Sequence, residues 1–337
     1  MVKKAGKWVA YAAFLTAAVM LLLELTYRMY LVDFYRNNLR WLNGNELSPD
    51  DQRPVILVVG DSFSADRNSY VAQVRKHFPH FRVINAAIPG TCIRQHNLLI
   101  NKRLREFKPS VLIYQTYTGN DLFEYRHPLT GKGISLQRKV YWWLSDRLLF
   151  TSYVNSQLPQ MKKWFAPEVV SAADAKAEAA FSPETYSPRT KMMLRAEPGL
   201  LQHSILLQGR RKSDMQTYVQ KVRGLIARVP DSVAVFVLCI PDAVQVSAGY
   251  QEQFRQLGAD LTAGDSLLQA GYPFFLSLEK NLSSGRVQML NPLPPLQAAA
   301  ANGPVYYASD PHLNAAGQAV VGEGVVSALQ SVLSLPP

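Results

Sequence analysis

The chain has 337 residues, of which 48% are hydrophobic and 18% charged, which excludes wholesale disorder and gives length for one large α/β domain with insertions. Its formal charge of +11 points to anionic surroundings such as phospholipid head groups or acidic glycans. No compact basic cluster with interleaved aromatics is present, so nucleic acid is not expected as a partner.

In chain order, "MVKKAGK" precedes an apolar run over residues 8–23 that continues, after Glu24, through "LTYRMYLV". The run is about the length that spans a bilayer, roughly 20 residues. Lys3, Lys4 and Lys7 place its N-terminal side in the cytoplasm and everything after it outside, in the periplasm. No small-x-small cleavage site follows, so residues 1–33 are expected to be an uncleaved single-pass anchor with Glu24 at the interface. Residues 34–53 are rich in Asn, Gly, Ser and Pro and read as a linker, which leaves 54–337 as the folded domain.

Val55–Val59 is a short, continuous apolar run, the pattern of a strand buried on both faces. A helix follows around Tyr70–His77, then a second strand at the start of "FRVINAAIPG", a helix over Ile93–Phe107, and a third strand, "SVLIYQTY". "SDMQTYVQKVRGLIARV" predicts an amphipathic helix capped by Ser213 or Asp214, and "SVAVFVLCI" a fourth strand. Helical segments over 254–261 and 315–333 complete the alternation, which means right-handed crossovers and a mostly parallel sheet. Residues 129–211 are too long for one crossover and form an insertion. It holds the aromatic, amphipathic "VYWWLSDRLLF" and an alanine-rich helix candidate over 172–180; a lid, an extra helical layer, or a surface resting on a membrane or partner are its possible roles.

In an open parallel sheet ligands bind beyond the carboxyl ends of the strands. Those ends carry Gly60-Asp61-Ser62, Pro89-Gly90 and Gly119-Asn120-Asp121, while "YYASDPHLNAAG" supplies Asp310 and His312 just before the last helix. A serine hydroxyl needs an imidazole to take its proton, and the imidazole needs a carboxylate to fix its tautomer. Ser62, His312 and Asp310 are therefore the candidate nucleophile, base and orienting acid. The N–H groups of Ser62 and Gly90 and the side-chain amide of Asn120 are candidate oxyanion donors. Glycine at 60 is expected to permit a tight turn, and at 90 a close approach to substrate. Asp61 and Asp121 read as loop-structuring carboxylates; His127, after the third strand, is a candidate for the pocket lining but reads more readily as a surface or hydrogen-bonded histidine. Cys92 and Cys239 have no metal-type spacing; they could pair in an exported domain, but they lie beside apolar segments, so buried free thiols are expected, and Cys92, two residues past Gly90, is a weak rival nucleophile; neither metal nor cofactor is called for.

These positions, in this order, resemble the four blocks of the SGNH, or GDSL-type, serine hydrolases, over most of the chain from residue 55 to 333. The resemblance implies a flavodoxin-like three-layer α/β/α sandwich, a triad of Ser62, Asp310 and His312, and an oxyanion hole from Ser62, Gly90 and Asn120. Two departures stand out: Gly119 directly precedes Asn120, and one residue rather than two separates Asp310 from His312. The shorter spacing is similar to that of the membrane-associated branch that acetylates alginate and related glycans, although there the pair lies before the serine. The expected activity is hydrolysis of O-acyl esters, O-acetyl first among them, on an envelope or exported polysaccharide. The alternatives are O-acetyl transfer to such a glycan, with a membrane protein as acyl donor, and a non-catalytic glycan-binding scaffold.

Overall fold

The computed structural model describes residues 2–131, 133–154 and 180–333. Its helices, in chain order, are α1 (Val2–Arg28), α2 (Arg36–Asn43), α3 (Tyr70–His77), α4 (Ile93–Phe107), α5 (Asp121–Tyr125), α6 (Leu136–Ser145), α7 (Pro188–Ala196), α8 (Leu200–Leu206), α9 (Arg211–Ile226), α10 (Ala248–Gln256), α11 (Pro273–Leu282), α12 (Leu293–Ala300) and α13 (Ala315–Val332). The strands are β1 (Val55–Val59), β2 (Arg82–Asn85), β3 (Val111–Tyr117), β4 (Ala234–Ile240) and β5 (Val287–Leu290). All pairings are parallel and the order is β2-β1-β3-β4-β5, the flavodoxin-like arrangement.

β1 and β3 are buried along their whole length, because a parallel sheet is covered by helices on both faces. α3 packs with α13 and α13 with α12, while α9 packs with both α4 and α11, so the sheet is the middle of three layers. The chain order reverses between β1 and β3; β1 ends at Val59 opposite Tyr114, and β3 runs on to Tyr117. That crevice is where this topology places ligands.

The expected linker is folded. Within 34–53, α2 and a 3-10 turn (Gly44–Leu47) pack on the sheet, with Leu39 in the main core and Leu42 against Ala65 and Ala87. Asn43 covers the open edge of β2: its Nδ2 donates to Asn85 O at 2.8 Å and its Oδ1 accepts the Asn85 N–H at 2.7 Å. An amide side chain thereby replaces the missing neighbouring strand.

Other boundaries shift. α9 begins at Arg211, because Asp214 is not a cap but pairs with the fully buried Arg211 at 3.3 Å. α10 begins at Ala248, six residues before the expected helix over 254–261, and is capped by Ser247. β5, α11 and α12 have no counterpart in the sequence reading. The alanine-rich helix expected over 172–180 lies outside the described residues apart from Ala180.

α1 is the one helix among the described residues long and apolar enough to cross a membrane, over Ala10–Arg28 with mean hydropathy 1.6. Its C-terminal end is fastened to the domain. Glu24 is buried, and its carboxylate accepts the N–H groups of Leu149 and Phe150 at 3.0 and 2.8 Å, where a further helical turn begins. Tyr27 and Tyr35 share a 2.6 Å hydrogen bond in a cluster with Ile88, Leu99 and Phe150. Glu24 is thus spent inside the protein rather than at a lipid interface.

Candidate active site

The loop after β1 is shaped by β3. A Cβ on Gly60 would stand 2.4 Å from Gln115 Oε1, and Gly60 is not in the left-handed region; close approach, not turn geometry, requires glycine there. Gln115 Oε1 accepts the Asp61 N–H at 3.0 Å and the Ser64 hydroxyl at 3.1 Å. Asp61 Oδ1 accepts the Phe63 N–H at 3.0 Å, and its main-chain carbonyl accepts the N–H groups of Ser64 and Ala65. Ser62 is left at the apex of a single helical turn.

Ser62 Oγ lies 2.8 Å from His312 Nε2. On the other side of the ring, Nδ1 is hydrogen-bonded to Asp310 Oδ1, which also accepts the His312 main-chain N–H at 3.0 Å. An imidazole that donates its Nδ1–H to a carboxylate turns the Nε2 lone pair toward the hydroxyl. The loop that carries the pair is closed by a bridge between Tyr306 and Leu313, and its helix cap is Asn314, which accepts the Gly317 N–H. Asp310 is therefore free of the capping role that an aspartate before a helix usually has. A non-catalytic scaffold called for His312 out of reach of Ser62, and that condition is not met.

Ser62, Gly90, Asn120, Asp310 and His312 line one cavity of about 90 Å³. The N–H groups of Ser62 and Gly90 make no hydrogen bond among the described residues. Gly90 has φ +69, which glycine adopts without strain. Asn120 Oδ1 is buried without a partner among the described residues, so the polar end left for the cavity is the Nδ2 donor. Two unused backbone donors and an amide thus belong to residues that wall the same small cavity as the Ser62 hydroxyl, a donor set that suits an oxyanion.

The remaining titratable groups have structural duties. Asp121 is buried, and its Oδ2 accepts from the hydroxyls of Thr116 and Tyr218 and from the Tyr117 N–H. Burial, with the Asp61 charge behind it, pushes its carboxyl up to about 7. Burial likewise raises Asp61. Cys92 and Cys239 are buried free thiols; burial pushes Cys92 up to about 12, so it holds no thiolate at neutral pH and is no rival nucleophile.

Sequence reasoning missed what the insertion brings. α7 supplies Arg189, Thr190 and Met193 to the cavity wall, and its first turn is tied to the Asp310 loop by Ser187 N–H donating to Ser309 O at 2.9 Å. Arg189 pairs with Glu124 at 2.5 Å; Glu124 reaches His127, which donates toward Asp146 at 2.7 Å and stacks on Trp142. Burial opposes the Glu124 charge, but Arg189 and His127 hold it down at about 2. Burial also opposes the His127 cation, and Asp146 and Glu124 outweigh it, leaving the ring above its usual range. This network walls a second cavity, about 810 Å³, that meets the first at Gly90 and Arg189.

No family model and no curated protein matches the chain. Solved structures do. A putative acylhydrolase from Bacteroides fragilis is 10% identical, with TM-score 0.42 over 90% of this chain and 99% of that one. An acetylxylan esterase from Geobacillus stearothermophilus, solved as a catalytic mutant, is 10% identical, with TM-score 0.41 over 81% and 93%. A GDSL-like lipase from Bacteroides thetaiotaomicron is 9% identical, with TM-score 0.40 over 89% and 100%.

Proposed function

We propose that the chain is a carboxylic ester hydrolase of the SGNH type, working through an acyl group carried on Ser62. The observation that carries this reading is the 2.8 Å contact between Ser62 Oγ and His312 Nε2, with Asp310 on the far side of the ring and two unbonded N–H groups beside the hydroxyl. His312 takes the Ser62 proton as Oγ adds to the ester carbon, and Asp310 steadies the imidazolium. The carbonyl oxygen, now an anion, is received by Ser62 N–H, Gly90 N–H and Asn120 Nδ2. His312 returns the proton to the departing alkoxide oxygen, and the same steps run with water to release the acid.

The substrate is an O-acyl ester, O-acetyl in the first instance, of an envelope or exported polysaccharide, met on the outer face of the membrane that α1 crosses. A second reading, transfer of the acyl group to a sugar hydroxyl from a membrane donor protein, uses the same intermediate. It is favoured by the large cavity that joins the site at Gly90, which has room for an acceptor as well as the ester.

The test supplies the protein with an activated acetyl ester, with and without a deacetylated envelope glycan, and follows both free acetate and acetylated sugar. Acetate release that dominates with glycan present marks an esterase; acetylated sugar marks a transferase. Ser62→Ala is expected to lower either rate by about a thousandfold or more while leaving the melting curve in place. Turnover retained in that variant would remove Ser62 from the mechanism.

A further inference from the structure

α6 has two faces that do different things. On one, Arg138, Tyr141, Trp142 and Ser145 line the large cavity beside the candidate active site. On the other, Leu136, Val140 and Trp143 stand at i, i+4 and i+7 with 76%, 49% and 46% of their surface exposed. Such spacing forms a continuous apolar stripe along one side of a helix. An apolar stripe left to water is a cost unless something covers it.

Where the stripe ends, the apolar helix α1 ends too. Arg147, one turn beyond Trp143, holds its guanidinium 4.2 Å over the Trp143 ring, and its carbonyl accepts a hydrogen bond from Arg28, the last residue of α1, at 2.9 Å. The Glu24 carboxylate pins the next turn at Leu149 and Phe150. The stripe is therefore continuous with the end of the candidate span, at the level where a bilayer's head groups begin. The charge on its side is basic: Lys139 lies on α6, which has no acidic residue, and Arg147 stands at its end, while Arg28 there is paired with Glu24. A tryptophan beneath an arginine at that depth is the arrangement favoured at membrane interfaces.

We infer that α6 lies in the head-group layer of an anionic phospholipid bilayer, with Leu136, Val140 and Trp143 immersed and Lys139 and Arg147 on lipid phosphates. The inference rests on α1 crossing the bilayer, and it adds a second contact that fixes the domain's tilt. One helix, about 10 Å thick, then separates the membrane from the cavity that feeds Ser62. Substrate is taken up at the bilayer surface rather than from free solution.

The full chain is placed in vesicles containing phosphatidylglycerol, with an environment-sensitive dye on Val140→Cys or, in a separate sample, on Val19→Cys; Cys92 and Cys239 are buried and do not compete. The Val140 dye is expected to shift to the blue, and lipids brominated near the head group should quench it at least twofold more than lipids brominated deep in the chain. The Val19 dye should show the opposite preference. Replacing phosphatidylglycerol by neutral lipid, or introducing Lys139→Glu with Arg147→Glu, is expected to weaken the Val140 signal about threefold and leave the Val19 signal unchanged. Quenching at 19 but not at 140 overturns the α6 contact and leaves the span standing. A blue-shifted Val140 dye that brominated lipid cannot reach means protein covers the stripe, residues 155–179 or a second copy, and equally overturns it. Quenching at 140 without quenching at 19 keeps the lipid contact of α6 and removes the span.

Discussion

Asp121, buried behind the candidate site, ties the stability of the fold to pH. Its carboxyl is raised to about 7 in the folded chain against an ordinary value of 3.8. The folded state therefore holds more protons than the unfolded state between about pH 4 and 7, and stability falls as pH rises through that window. Asp121→Asn removes the titration, so the variant should gain on the wild type as pH rises from 5 to 7.5. Urea midpoints at the two values measure this, and parallel shifts would show that Asp121 does not titrate there. The candidate site residues were legible in the sequence because Ser62, Gly90 and Asn120 each follow a strand, Asp310 and His312 stand together before the last helix, and each type is tied to its chemistry. Gln115 was not, although a polar side chain in "VLIYQTY" is a clue: its role is to hold the Ser62 loop across the sheet, a relation between residues more than fifty apart. The reason for glycine at position 60 was misread on the same account, since the atom that excludes a side chain belongs to β3.

At the scale of elements, the apolar strands and long amphipathic helices declare themselves, and segments whose order comes from one or two long-range contacts do not. β5 is only four residues long and partly exposed, so it has neither the length nor the unbroken burial of β3. α2 is polar in composition and owes its place to Leu39, Leu42 and Asn43. α7 was hidden inside an insertion with no motif, yet it brings Arg189 to the cavity. The joint between α1 and the domain is another such contact. Removing the Glu24 carboxylate leaves the Leu149 and Phe150 N–H groups without an acceptor, a loss of about 1 kcal/mol of the kind seen at helix caps. Glu24→Ala should speed hydrogen exchange at those two amides about tenfold, while the amides of β3 exchange as before. Unchanged protection at 149 and 150 would mean the joint is held by its aromatic cluster alone.

For the whole molecule, the folded unit begins before β1. Asp33 pairs with the buried Arg103 at 3.0 Å, and α2 closes the edge of the sheet, so a soluble form cut at residue 54 loses a charge partner, two core leucines and the cover of β2. Each buried leucine is worth about 1.5–3 kcal/mol, and the buried Arg103 keeps only the Glu106 carboxylate of its two ion-pair partners. A fragment starting at 54 should melt on the order of 10 °C below one starting at 33. Equal melting temperatures would return residues 34–53 to the status of a linker. The parallel sheet and its three layers could be read from apolar runs and their alternation with helices, whereas the true N-terminal limit of the domain could not, because the residues that set it look like loop.

The joining of Asp310 to both the ring and the main chain of His312 has a consequence for ancestry. Acid and base form a three-residue unit that holds its own geometry, so the fold has a single distant relation to maintain, that between positions 62 and 312. Such a unit keeps its chemistry wherever along a polypeptide it is encoded, provided it meets the same rim of the sheet. Whether it precedes or follows position 62 is then a matter of gene history, and motif order does not separate the two proposed reactions, hydrolysis and transfer.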